Sequence, residues 1–413
     1  MSTRLVIDHL GAQGDGVALA ESGPVFVPHT LPGEVVTAAQ NKNRAELIAV
    51  LEASPLRVKP PCRHFGACGG CALQHMAADA YNEWKRDLVV RSLRGHGIDA
   101  PVADIVRCQP ATRRRAVFAA RQAERGVLLG YREAMSHTIV PIEECPILLP
   151  AITSRLEDIR RLAQLLEPGK QVLRLAVTAT ETGLDIDAGG ITRVSANARM
   201  AVSRHAQEAG LARISLEGEI ILEPRKPIVS VGGIPVELPP GGFLQATVDA
   251  ENAMVRLVGD HLAGAKRIAD LYSGAGTFAL RLAPKAEVHA VESDGTALAA
   301  LDRAAPHAPG LRKVTVERRD LERRPVTAKE LARFDGLVFD PPRAGAEAQA
   351  TQIARSDVRK VAAVSCNPVT LARDLSILIG GGYELRSVTP IDQFLWSPHV
   401  EAVALLEKTK RRH

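Results

Sequence analysis

Aromatic residues are scarce in this chain, with eight Phe, four Tyr and two Trp among 413 residues. Any stacking on a planar ligand must therefore rest on few side chains. Long apolar runs are missing too. The longest stretch free of Asp, Glu, Lys and Arg runs from His64 to Ala78, short of the ~18 apolar residues that a membrane span needs. The opening residues, Met1-Ser-Thr-Arg-Leu-Val-Ile-Asp8, lack the basic-then-apolar form of an export leader. A cytoplasmic protein with no membrane partner is expected. Repeats and low-complexity tracts are absent as well. Cysteine is sparse, six residues in all, and in a chain without an export signal this favours metal binding or catalysis over disulfides.

What is present fits a globular protein of roughly two or three domains. Hydrophobic residues make up 46% and charged residues 24%, which excludes a disordered chain. The net charge of +5 permits a nucleic-acid partner without requiring one. Its distribution is uneven. From Lys59 to Arg115 there are ten Lys and Arg against five Asp and Glu, a surplus equal to the net charge of the whole chain. Arg113-Arg114-Arg115 leads an apolar segment, Ala116-Val117-Phe118-Ala119. Such a run reads as a phosphate contact surface, with a merely solvated basic face as the plain alternative.

Three cysteines lie close together in Cys62-Arg-His-Phe-Gly-Ala-Cys68-Gly-Gly-Cys71, and a fourth follows in Glu143-Glu144-Cys145-Pro146. Three near thiolates with intervening glycines can wrap one soft metal centre that a distant fourth closes. Zinc competes with iron for such a site. The spacing differs from the three-cysteine loop of radical enzymes, so a structural or positioning centre is expected rather than a redox catalyst.

The first ~57 residues read as a small β module from their strand and turn signals. Lys59-Pro60-Pro61 marks a linker. A helix is expected over Asp79–Arg94, and another over Ser154–Leu166 within a mixed α+β stretch. After Pro239-Pro240-Gly241-Gly242 the rhythm changes to alternating helices and apolar strands, which argues a mostly parallel sheet covered on both sides. Active residues then gather beyond the carboxyl ends of its strands. One such end carries Asp270-Leu-Tyr-Ser-Gly274-Ala-Gly276-Thr-Phe-Ala279, a G-x-G-x-x-A turn, with Glu292 closing the next strand. The pattern suits either a dinucleotide or S-adenosylmethionine.

Two further strand ends carry unusual punctuation: Phe339-Asp340-Pro341-Pro342-Arg343 and Ser365-Cys366-Asn367-Pro368. Cys366 at that rim can serve as a nucleophile. A partner base is expected in Trp396-Ser-Pro-His399-Val-Glu401, where period two sets His399 and Glu401 on one face of a strand.

With these residues in view, the sequence resembles the RNA uracil-5-methyltransferases, in the branch acting on 23S ribosomal RNA that carries an N-terminal TRAM domain and an iron–sulfur cluster. The matching segments run nearly end to end: Pro32–Val35, Cys62/Cys68/Cys71, Cys145–Ile147, Gly242–Gln245, Asp270–Phe278, Asp340–Arg343, Ser365–Pro368 and His399–Glu401. The resemblance implies an α/β fold with three parts. These are an OB-like TRAM β-barrel over 1–57, a cluster segment and central α+β RNA-binding domain over 58–240, and a Rossmann-like methyltransferase domain over 241–413. It implies a 4Fe–4S cluster on Cys62, Cys68, Cys71 and Cys145. It also implies S-adenosylmethionine contacts from Gln245, Tyr272, Gly274, Glu292 and Asp340, with Cys366 as nucleophile and Glu401 as base. Ribosomal RNA is the implied substrate, with transfer RNA as the alternative, and a monomer is expected. Phe243 and Phe394 are the candidates for base stacking. Two positions depart from the pattern: Thr247 stands where the family usually has Asn, and Ser273 where it often has Cys. Cys108 matches nothing and is expected to be inert.

Overall fold

The computed structural model describes residues 2–408 apart from Ser22, Arg125, Lys170 and Thr192. Met1 and residues 409–413, at the outer edges of the first and last expected parts, lie outside the described residues. The N-terminal region is β-rich, a six-stranded sheet that ends at Glu52. Its own small core is built from Leu5, Ile7, Val25, Val27 and Val36. Among the described residues no helix is long and apolar enough to cross a membrane.

A second sheet of seven strands occupies the middle of the chain. From edge to edge it runs Glu219–Leu222, Arg213–Leu216, Gly183–Gly189, Leu173–Thr180, Arg115–Ala123, Gly126–Arg132 and Ile139–Pro141. Leu156–Leu165 packs on it as a helix whose apolar residues Leu156, Ile159, Leu162 and Ala163 are buried. The single helix expected from Ser154 is two pieces, Pro150–Thr153 and Leu156–Leu165. The Ser154 hydroxyl turns back to donate to the Pro150 carbonyl at 2.7 Å, which competes with the helical ladder at that point.

The third sheet also has seven strands, in the order Val314–Arg318, Glu287–Glu292, Arg267–Leu271, Gly336–Phe339, Lys360–Ser365, Glu401–Lys408 and Tyr383–Ile391. The first five are parallel; Glu401–Lys408 inserts antiparallel beside Lys360–Ser365. The inner strands are buried on both faces, Val361 to Val364 completely so, as a sheet covered by helices requires.

Packing divides the stretch 58–240. The helix Ala78–Arg94 buries Tyr81, Trp84 and Leu88 in the core of the third sheet rather than of the second. The hairpin Ile228–Val231/Ile234–Glu237 likewise buries Val229, Val231 and Val236 against Met254 and Phe278 of the C-terminal half. Within the basic run, the structure corrects Arg114. Arg114 is 5% exposed, pairs with Glu251 and donates through Nε to the Gln245 carbonyl at 2.9 Å. Arg115 donates to the Gly241 carbonyl at 3.1 Å, and the Arg113 guanidinium lies over the Phe394 ring. Arg63 pairs with Glu143 and Glu144, Arg107 with Asp79, and Lys85 with Asp392. The carboxylates that balance this segment lie partly outside it, which a count by segment cannot register.

Candidate active site

The glycine turn sits at the carboxyl end of Arg267–Leu271, between the two neighbouring parallel strands. Tyr272 and Gly274 adopt left-handed backbone with φ of 61° and 54°. No atom lies within 4 Å of where a Cβ on Gly274 would stand, so the turn opens onto free space. At Gly276 the reason for glycine is different. A Cβ there would meet Leu301 Cδ1 at 2.6 Å, so its absence lets the turn press against the helix Gly295–Ala304. Glu292 ends its strand and braces the turn: Oε2 accepts from Gly274 N at 3.0 Å and Oε1 from Asp294 N at 2.8 Å. The Tyr272 hydroxyl and Ser273 Oγ are buried without a hydrogen-bond partner.

Asp340 follows the strand Gly336–Phe339 directly, and Pro341-Pro342 prevents the strand from continuing. Its Oδ2 accepts from Gln245 Nε2 at 2.9 Å. Burial of the carboxyl pushes its pKa up to about 7.

Cys366 follows Lys360–Ser365 in the same way. The Asn-Pro behind it is a helix start: Asn367 caps Pro368–Gly380 by accepting from Val369 N at 3.2 Å, and Pro368 occupies the first helical position. The Asn367 amide also donates to the Arg343 carbonyl at 3.1 Å, tying the two rim turns together. Burial pushes the Cys366 thiol up to about 11, with the charges of Glu401 and Asp340 adding to it and Arg343 opposing it.

Glu401 reaches this cysteine through the antiparallel insertion. Ser365 pairs with Ala402, so one step further along each strand sets Cys366 beside Glu401. Glu401 is 3% exposed; Gln393 donates to its Oε2, while Oε1 is buried with no partner. Burial, then Asp340, raises its pKa well above the usual carboxylate range. His399 does not share its face. The strand begins only at Glu401, and His399 sits in the preceding loop against Phe394, at the wall of a different cavity.

One cavity of about 580 Å³ is walled by Gln245, Tyr272, Gly274, Glu292, Asp340, Cys366 and Glu401 together. Phe243, 65% exposed, stands at its edge. Thr247 lies outside it. Its hydroxyl accepts from Ala250 N at 3.1 Å as the cap of Val248–His261 and donates to the buried Cys108 sulfur. A second cavity of about 290 Å³ is walled by Cys62, Cys68, Cys71 and Cys145, and Gln393 and Phe394 border both. Among the described residues no three metal-ligating side chains converge as the ligands of a single ion would. Two residues of the site escape sequence reasoning. Gln393 carries no spacing signal, and Arg114 presents itself as surface charge.

The chain is 59% identical to an RNA methyltransferase of Mesorhizobium japonicum over the full length of both. Residues 234–409 match the family model described as tRNA (uracil-5-)-methyltransferase. The chain belongs to the RNA uracil-5-methyltransferase family. It is an RNA methyltransferase. A further family relative, the 23S rRNA (uracil(1939)-C(5))-methyltransferase of Halomonas elongata, is 35% identical, with 98% of this chain and 89% of the relative covered. The fold is also that of the Pyrococcus abyssi tRNA (uracil-54, C5)-methyltransferase, with a TM-score of 0.75 and 24% identity, covering 98% and 99% of the two chains.

Proposed function

We propose that the protein methylates carbon 5 of a uridine in 23S ribosomal RNA, with S-adenosylmethionine as donor and a covalent adduct on Cys366. The observation that carries the reading is the single cavity that joins Cys366 and Glu401 to the glycine turn and Asp340. Whole-length similarity to a relative named for 23S RNA supports the ribosomal substrate. The family description and the archaeal fold neighbour favour transfer RNA as the second reading. The N-terminal sheet would act as the OB-like TRAM barrel that grips the RNA.

Carbon 5 of uracil is too weak a nucleophile to accept a methyl group unaided. Attack of the Cys366 thiolate on carbon 6 forms a sulfur–carbon bond and moves the ring's π pair toward carbon 5. S-adenosylmethionine, when bound, supplies an electrophilic methyl group to that carbon. Glu401 then takes the carbon-5 proton; the released pair restores the ring double bond and expels the thiolate. The unpartnered Tyr272 and Ser273 hydroxyls suit a polar ligand, and the Asp340, Glu292 and Glu401 carboxyls suit a cationic one. Gln245, Tyr272, Gly274, Glu292 and Asp340 are proposed to hold it.

We further infer that Cys62, Cys68, Cys71 and Cys145 hold a 4Fe–4S cluster. All four are free thiols walling one cavity. Burial pushes Cys68 and Cys145 up and Cys71 to about 12, so they stay neutral near pH 7 unless a cation offsets their charge. Donors spaced around a cavity rather than a point suit a group of several irons better than one zinc ion. Bound there, the group would cross-link the 62–71 segment to the Cys145 loop.

RNA containing 5-fluorouridine tests the mechanism. Carbon 5 then carries no removable proton, and a stable protein–RNA adduct is expected; an undiminished adduct in Cys366→Ala overturns the assignment.

A further inference from the structure

We infer that Gln393 is a positioning residue that holds Glu401 ready to take the carbon-5 proton, an inference that rests on the reaction proposed above. Gln393 is 3% exposed, and every polar group of its side chain is engaged. Its Oε1 accepts from the Ala246 backbone N–H at 3.1 Å. A backbone N–H can only donate, so the orientation of the amide is fixed. The Nε2 must then donate, and it does so twice: to Gln245 Oε1 at 3.1 Å and to Glu401 Oε2. Gln245, receiving on its oxygen, turns its own Nε2 to Asp340 Oδ2. The two glutamines thus form a directed chain between the base and the acid beneath the donor pocket.

The backbone of Gln393 is pinned from outside the site. Asp392 accepts from Lys85 Nζ and from the Tyr81 hydroxyl, at 3.0 Å for the latter. Lys85 also donates to the Phe394 carbonyl at 2.9 Å. Both donors lie on the buried face of Ala78–Arg94, so this helix fixes where the Gln393 side chain starts. The consequence falls on Glu401. A neutral donor on Oε2 favours the carboxylate against the opposing effects of burial and Asp340. It also leaves the unpartnered Oε1 as the atom free to receive the proton.

The test is Gln393→Met, which keeps the length and removes the donor. Turnover on uridine RNA is expected to fall about 100-fold. The limb of the pH–rate profile that reports Glu401 ionisation should move about one unit or more toward higher pH. Adduct formation on 5-fluorouridine RNA needs no base and should stay near the wild-type rate. Unchanged turnover with an unmoved limb overturns the inference, and so does loss of trapping together with turnover, which marks a general disruption of the site. Absence of trapping in the wild-type protein instead overturns the reaction itself. Melting temperature is compared throughout; should Gln393→Met not fold, Gln393→Glu, which keeps the bond from Ala246, carries the same comparison.

Discussion

Replacing Arg114 with Ala separates a structural arginine from an RNA-binding one. Arg114 and Arg281 share the buried Glu251 carboxylate, Arg114 on Oε2 and Arg281 on Oε1 at 2.7 Å. Removing Glu251 leaves two guanidinium groups facing each other without a counterion, and orphaned buried charge costs about 3–5 kcal/mol. Removing Arg114 is milder, because Glu251 keeps Arg281; loss of a charged hydrogen bond costs about 1.5–3 kcal/mol. Urea unfolding should therefore rank Glu251→Ala below Arg114→Ala and both below wild type. The Gln245 carbonyl also loses its donor in Arg114→Ala. Because the Gln245 amide faces Asp340, KM for the methyl donor should rise. The slope of log affinity for RNA against log salt should stay as in wild type, since a buried guanidinium releases no counterion. A slope smaller by about 0.7–0.9 would mean that Arg114 neutralises a phosphate. That result, or a stability loss below about 1 kcal/mol in both variants, refutes the reasoning.

Two more predictions concern the cysteines. The Cys366 thiol sits high, near 11, while attack requires the thiolate, so adduct formation should accelerate as pH rises, approaching tenfold per unit below the thiol pKa; stopped trapping with 5-fluorouridine RNA measures it, and a flat rate from about pH 6 to about pH 9 contradicts the sign. Protein purified without oxygen should be brown with broad visible absorption that Cys145→Ser diminishes, whereas a colourless, zinc-loaded preparation would overturn the cluster assignment.

The rim of the cavity can be read from the chain because its signals are local. Asp340-Pro-Pro and Cys366-Asn-Pro each place a reactive side chain at a strand's end; in the structure Pro341-Pro342 stop one strand while Asn367-Pro368 start the helix after the other. Glu292 is local in the same sense, bracing a turn that period and glycine spacing already mark. His399 fails for a physical reason. Period two applies only inside a strand, and the chain between Ile391 and Glu401 is a loop held from outside, with the Trp396 carbonyl accepting from Ala72 N and Leu73 N at 2.8 Å and 3.1 Å.

Residues whose meaning lies in distant partners stay hidden. Arg114 and Glu251 are 137 positions apart, Gln393 and Gln245 are 148, and Lys85 and Asp392 are 307. A charged residue in sequence is neutral evidence between water and a buried partner, and prior frequency favours water. Within the basic stretch 59–115, Lys85 and Arg114 are therefore misread as surface, because their counterions sit on other elements. Thr247 shows the converse. Set against a family pattern it reads as a lost contact near the donor, yet its hydroxyl caps the helix that carries Glu251. The helix so capped holds the carboxylate that anchors Arg114, and Arg114 in turn holds the Gln245 backbone. A departure that looks like a weakened pocket thus supports that pocket from behind, through three links that only the fold brings into contact.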